Sequence, residues 1–104
     1  MTAQSSGTLV LAKLGILGDL PACTDSITKP WVVETGVQVI DQPFYAAGNV
    51  ATAGGCLASH YLATWILTRT LGRDAAAGVL GYVTPVGQQA DWATRAFAVI
   101  DPYL

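Results

Sequence analysis

The chain has 104 residues, a length that suits one domain, and 52% of them are hydrophobic whereas only 12% are charged. The net charge is −2 and the sequence contains no cluster of basic residues, so we do not expect the chain to bind nucleic acid. Charged residues are too few to cover the surface of so small a domain, so we expect a large interface with another copy, another chain or a missing half of the same fold.

Cysteine usage and the first residues favour a cytoplasmic protein. Cys23 and Cys56 form no disulfide framework, and the start of the chain does not have the charged-then-apolar pattern of a signal peptide. The stretch 42–68 carries no formal charge, but its first part has the pattern of strand and turn. We therefore expect a buried helix there and no association with a membrane.

The first predicted element is a helix over residues 6–17, ended by turn residues at 18–19. The small residues 5–7 at its start resemble a nucleophile elbow, in which a reactive side chain lies between a buried strand and a helix N-terminus. No strand is predicted ahead of Ser5, so the sequence supports only half of that motif.

The next segments predict short strands and one hairpin. Strand signals fall on residues 21–25, 37–40, 44–47 and 49–53. The Gly48-Asn49 turn joins the last two as a hairpin. Residues 27–35 are ambiguous, because Pro30 can open a helical turn and Gly36 can close one.

Three further helices are predicted over residues 56–71, 75–83 and 88–100. The first of them is apolar or small nearly all round, so we expect it to be buried on more than one side. Strands that alternate with helices indicate an α/β class. An open sheet of two or three strands is thin for this class, which implies that further strands come from elsewhere.

Five stretches, in order and spacing, carry a resemblance to a known family: 6–17, 21–24, 36–44, 48–58 and 80–87. Over roughly 80–90 residues the chain resembles the ThiJ/PfpI family. The resemblance covers only the C-terminal half of a family member. The resemblance implies part of a class I glutamine amidotransferase-like, flavodoxin-like three-layer sandwich. Residues 1–104 would then be a single partial domain, with few strands and three to four helices, completed by oligomerisation or a partner.

The resemblance also implies an activity. Family members are commonly dimers, and some are hydrolases, hydratases or glyoxalase-like enzymes that act on small electrophiles. The half of the fold that this chain does not match would supply the central strands. It would also supply an acidic residue that hydrogen-bonds the nucleophile.

Ser5 is the first of two candidate catalytic residues that the resemblance implies. In the family the elbow carries a cysteine, whose thiolate the helix N-terminus stabilises, and Ser5 stands at that position here. A serine hydroxyl needs a general base at hydrogen-bonding distance, so the substitution predicts loss of the chemistry. The alternative for Ser5, which we favour, is the N-cap of the first helix.

Asp25 is the second candidate, at a position where many family members place a histidine. Its carboxylate could act as a base toward Ser5, but it is a weak base unless its pKa is raised. We favour the alternative that Asp25 is a turn or capping residue.

No metal ion and no cofactor are expected. His60 lies one helical turn after Cys56, which gives two metal ligands where a stable site needs three or four. We expect a buried or interface His60, a packed Cys56 and an inert Cys23. The tryptophans are expected to be core or interface anchors: Trp31, Trp65 and Trp92.

Three functions remain open for the chain. The favoured one is a half-domain without complete catalytic machinery, which acts through a homodimer or a complementary half-domain. The second is a small-molecule hydrolase, hydratase or lyase of the isonitrile hydratase, protease or glyoxalase-like type, with Ser5 as the nucleophile. The third is a regulatory module that binds a small-molecule ligand.

Overall fold

Helices outnumber strands in the fold. The computed structural model describes residues 1–104, which contain five α-helices and one three-stranded sheet. The predicted α/β class is confirmed, but the expectation of three to four helices is wrong, because the ambiguous segment around Pro30 forms a short helix of its own. The chain forms two compact units, residues 1–62 and 63–104.

The first unit contains all of the strands. In chain order its elements are β1 (Thr2–Gln4), α1 (Gly7–Lys13), α2 (Lys29–Glu34), β2 (Phe44–Ala47), β3 (Val50–Ala53), a 3₁₀ turn (Cys56–Ala58) and the first turn of α3 (Ser59–Leu71). The strand order is β1-β3-β2, with β1 parallel and β2 antiparallel to β3. The predicted hairpin is confirmed, and Gly48 in its turn has a φ of +59°.

A strand does precede Ser5, so the prediction that none would is wrong. Residues 2–4 pair with residues 51–53, and the amide of Ala51 donates to the carbonyl of Met1 at 3.2 Å. These residues become a strand through a partner almost fifty positions away, which no local pattern in three residues can indicate.

The predicted strands at 21–25 and 37–40 are also wrong, because these segments meet only in one parallel bridge between Ala22 and Val39. Both bonds of this bridge belong to Ala22, whose amide donates to Gln38 and whose carbonyl accepts from Ile40. The amide of Cys23 faces the other way and donates to the side-chain oxygen of Thr52 at 2.9 Å.

The helix α1 is shorter than predicted because Gly15 ends it. Gly15 has a φ of +73°, and the amide of Ile16 donates to the carbonyl of Leu11 at 3.1 Å. This pattern is a Schellman motif, in which a glycine in the left-handed region closes the last helical turn. A core surrounds α1 on its inner side: Ala3, Leu11, Ala12, Leu17, Ala22 and Val32.

The second unit is helical. It contains the remainder of α3, then α4 (Arg73–Val83), α5 (Gln89–Ile100) and a closing 3₁₀ turn (Asp101–Tyr103). The buried side chains of α4 and α5 are Ala76, Leu80, Ala96, Phe97 and Ile100. The indole of Trp65 donates to the carbonyl of Tyr103 at 3.1 Å, which ties the C-terminal turn to α3.

Arg73 holds the start of α4 to the end of α5. Its guanidinium makes two hydrogen bonds to the carboxylate of Asp101, at 2.8 and 3.3 Å, and lies over the ring of Phe97. The pair lowers the pKa of Asp101 through the hydrogen bond from Arg73.

Helix α3 is buried over about half of its circumference, at Tyr61, Leu62, Thr64 and Trp65, whereas Ala63, Ile66 and Thr70 leave one side exposed. None of the five helices has the length and apolarity needed to cross a bilayer.

Candidate functional site

The backbone at Ser5 turns sharply between β1 and α1. Its φ is +49°, and it is the one non-glycine residue of the chain with a positive φ. Its amide donates to the carbonyl of Ala53 at 2.8 Å, while its carbonyl accepts from the amide of Thr8 and the hydroxyl of Thr24. Strand, strained residue and helix follow one another as in a nucleophile elbow.

The hydroxyl oxygen of Ser5 is held by two donors. It accepts from the amide of Gly55 and from the Nε2 of Gln4, each at 3.1 Å. The same Nε2 donates to the carbonyl of Gly55 at 2.6 Å, so Gln4 and Ser5 together bind both backbone polar groups of Gly55. No acceptor for the Ser5 hydroxyl hydrogen lies within hydrogen-bonding distance.

The interpretation of Ser5 as an N-cap is therefore wrong. Ser6 occupies the N-cap position of α1, and it makes no capping hydrogen bond with its side chain. The Ser5 oxygen is used instead by Gly55, a residue 50 positions away. Capping is a local contact, whereas this contact depends on the pairing of β1 with β3.

Asp25 is a turn residue, as predicted. Its Oδ2 accepts from both the amide and the hydroxyl of Thr28 at 3.0 Å, and its carbonyl accepts from the amide of Lys29. The hydrogen bond from the Thr28 hydroxyl lowers the pKa of Asp25. A carboxylate with a lowered pKa is a weaker base, and Asp25 makes no hydrogen bond to Ser5.

An open cleft of about 390 Å³ lies beside the elbow. It is lined by Thr24, Asp25, Ser26, Ile40, Asp41, Gln42, Pro43, Gly54 and Gly55. Ser5 is bonded to two lining residues, Thr24 and Gly55, but does not line the cleft itself. The sequence did not indicate Asp41 and its neighbours as site residues, because their only sequence signal is the turn that precedes β2.

Gly54 is required by a close approach of two backbone segments. A Cβ placed on Gly54 would lie 2.6 Å from the carbonyl oxygen of Thr24, a distance that real contacts do not reach. Gly55 follows with a φ of +92°. Gly54 and Gly55 form a tight turn between β3 and the following 3₁₀ turn, and the segment that approaches Gly54 is the backbone of Thr24.

The two cysteines differ in exposure. Cys23 is fully buried, and burial raises its pKa to about 11, so the prediction of an inert thiol is supported. Cys56 is exposed, so the prediction that it is packed is wrong.

His60 is half-buried, and its Nδ1 lies 2.6 Å from the carbonyl of Leu57. No group of three or more metal-ligating side chains exists in the structure. Of the tryptophans, Trp65 is buried, Trp92 is half-buried and Trp31 is 53% exposed.

No known protein family and no curated protein matches the chain. The ThiJ/PfpI interpretation thus stays a prediction.

Proposed function

We propose that the chain is the C-terminal half of a ThiJ/PfpI-type domain without a complete catalytic set, and that it functions once another segment completes its sheet. That segment comes from a second copy or from a complementary half-domain. The observation that carries the proposal is the open edge of β1, the strand that leads into the elbow.

The backbone groups that face the open edge of β1 can be identified residue by residue. The carbonyl of Met1 and the amide of Ser5 both bond to β3. Backbone groups alternate along a parallel ladder, so the amides and carbonyls of Thr2 and Gln4 face away from β3. Parallel strands are usually covered on both faces and paired within a sheet, and unpaired edges invite another strand.

Helix α1, which packs against β1, supports the same proposal. Val10 of α1 and Leu14, the C-cap residue one helical turn later, are 58% and 67% exposed. A helix that covers a complete sheet normally shows solvent a polar side. Segments added at the edge of β1 would bury these two side chains.

The contacts of Ser5 argue against catalysis by the chain alone. A serine nucleophile needs a base that accepts its proton, whereas both partners of the Ser5 oxygen are donors. The Asp25 carboxylate is occupied by Thr28. A base would have to come from the added segment.

Light scattering coupled to gel filtration tests the assembly. We expect a mass above that of the monomer for the wild-type chain. Val10→Lys should lower that mass, because it places a charge on the face to be buried. Thr70→Lys adds the same charge at an exposed polar position of α3 and should leave the mass unchanged. A wild-type chain that stays monomeric at all concentrations excludes a second copy and leaves the complementary half-domain as the source of the added segment.

A second function, a hydrolase with Ser5 as the nucleophile, is favoured by one observation, the positive φ of Ser5. Turnover of small esters or isonitriles that Ser5→Ala abolishes and Ser6→Ala preserves would support it. Equal turnover by wild type and Ser5→Ala would exclude Ser5 as the nucleophile.

A further inference from the structure

The exposed side of α4 carries an uninterrupted apolar stripe. Val79, Tyr82 and Val83 are 47%, 90% and 65% exposed, and Val86 in the following loop is 94% exposed. Tyr82 points farthest from the buried residues Ala76 and Leu80, whereas Val79 lies between, and Val83 lies on the row of Ala76 at the exposed end of the helix. We call Ala75, Gly78, Val79, Tyr82, Val83 and Val86 the α4 face.

The α4 face contains no charge. No Asp, Glu, Lys or Arg occurs between Asp74 and Asp91. Arg73, the first residue of α4, already forms an ion pair with Asp101 and lies over the ring of Phe97. Helices that lie on a membrane surface carry lysine and arginine on their polar side, which α4 does not.

Two glycines lie three positions apart on the side of Tyr82, Gly78 within the α4 face and Gly81 at its border. A Cβ on Gly78 or Gly81 would meet nothing within 4 Å, so packing inside the chain gives no reason for glycine at either position. Glycine inside a helix reduces its stability relative to alanine. A close approach by another chain would explain both.

We propose that a second copy of this chain docks on the α4 face as a two-fold dimer. We infer that the face is self-complementary, because Tyr82 is a large side chain that is 90% exposed and the positions without a side chain at Gly78 and Gly81 leave room beside it for the Tyr82 of another copy. In a two-fold contact each copy presents the same patch, so each Tyr82 enters this space on the other copy.

The area of the α4 face suits a weak dimer. Its four large side chains expose about 500 Å² per copy, or about 1,000 Å² for the pair, which is near the lower limit of specific interfaces. Since the face lies in residues 63–104, this dimer does not depend on the ThiJ/PfpI proposal.

Sedimentation equilibrium tests the dimer. We expect wild type to pass from monomer to dimer as its concentration rises. Tyr82→Lys and Gly78→Gln should each weaken dimerisation at least tenfold with an unchanged circular dichroism spectrum. Ala98→Gln, at an exposed position of α5, is the matched control and should dimerise like wild type.

Three results would overturn the α4 dimer. The first is a wild-type chain that stays monomeric. The second is a dimer that Tyr82→Lys and Gly78→Gln leave intact; if Val10→Lys dissociates it, the β1 proposal stands and this one fails. The third is binding of monomers to neutral or anionic vesicles through Tyr82, which assigns the face to a lipid surface.

Discussion

Ser5 has a backbone conformation that disfavours any side chain, yet its side chain is what holds the turn in place. A non-glycine residue in the left-handed region costs about 1–3 kcal/mol. The hydroxyl offsets part of this cost by accepting from Gly55 and Gln4. The residue is thus under two opposing constraints, one from the backbone and one from its oxygen.

Two substitutions at Ser5 separate these constraints. Ser5→Ala keeps the strain and leaves the Gly55 amide without its acceptor, so we expect it to lower the free energy of unfolding by about 1–2 kcal/mol. Ser5→Gly loses the same acceptor but relieves the strain, and should be more stable than Ser5→Ala by about 1 kcal/mol. Urea unfolding of both variants measures the difference. Equal stability would show that φ at Ser5 is not strained.

The two thiols should react at different rates. At pH 8 a thiol with a pKa of about 11 is ionised in about one molecule per thousand, and Cys23 is also inaccessible. A disulfide reagent should therefore modify one thiol quickly in the native chain and the second only on unfolding. Cys56→Ser should remove the fast phase. Two fast thiols in the wild-type chain would contradict the burial of Cys23.

At the scale of elements, the hairpin and the helical second half could be predicted, whereas β1 and the short segments could not. The β2–β3 turn and the ends of α4 and α5 depend on local residues such as Gly48, Gly72 and Pro85. β1 depends on distant pairing, and the partner of the Ser5 oxygen is 50 residues away. The early end of α1 is also a local feature, because Gly15 ends the helix, although the predicted helix extends to residue 17.

The turn after β3 gives a prediction at this scale. Gly54→Ala would push a methyl group against the Thr24 carbonyl, so we expect a loss of about 1–3 kcal/mol in unfolding free energy. Gly7→Ala is the matched control, because its Cβ would lie an ordinary 3.6 Å from the Cβ of Ala3. Urea midpoints of the two variants test this. If both variants unfold like wild type, the close approach at Gly54 is absent.

At the scale of the whole molecule, composition and structure agree on an excess of apolar surface. Fourteen large hydrophobic side chains are at least 36% exposed, and they occur in both units. Because only 12% of the residues are charged, the chain has few charged side chains to cover this exposed apolar surface. Composition predicts an interface, but only the strand order and the exposed faces suggest the two positions that we propose for it.

Amide hydrogen exchange can detect a segment that adds to the open edge of β1, because neighbouring amides in β1 face opposite ways. The Ser5 amide is bonded to Ala53 and should be protected in every state. The Gln4 amide faces the open edge, so we predict that it is protected in the assembled protein and exchanges freely in the monomer. A Gln4 amide that exchanges freely in the assembled protein would contradict the account.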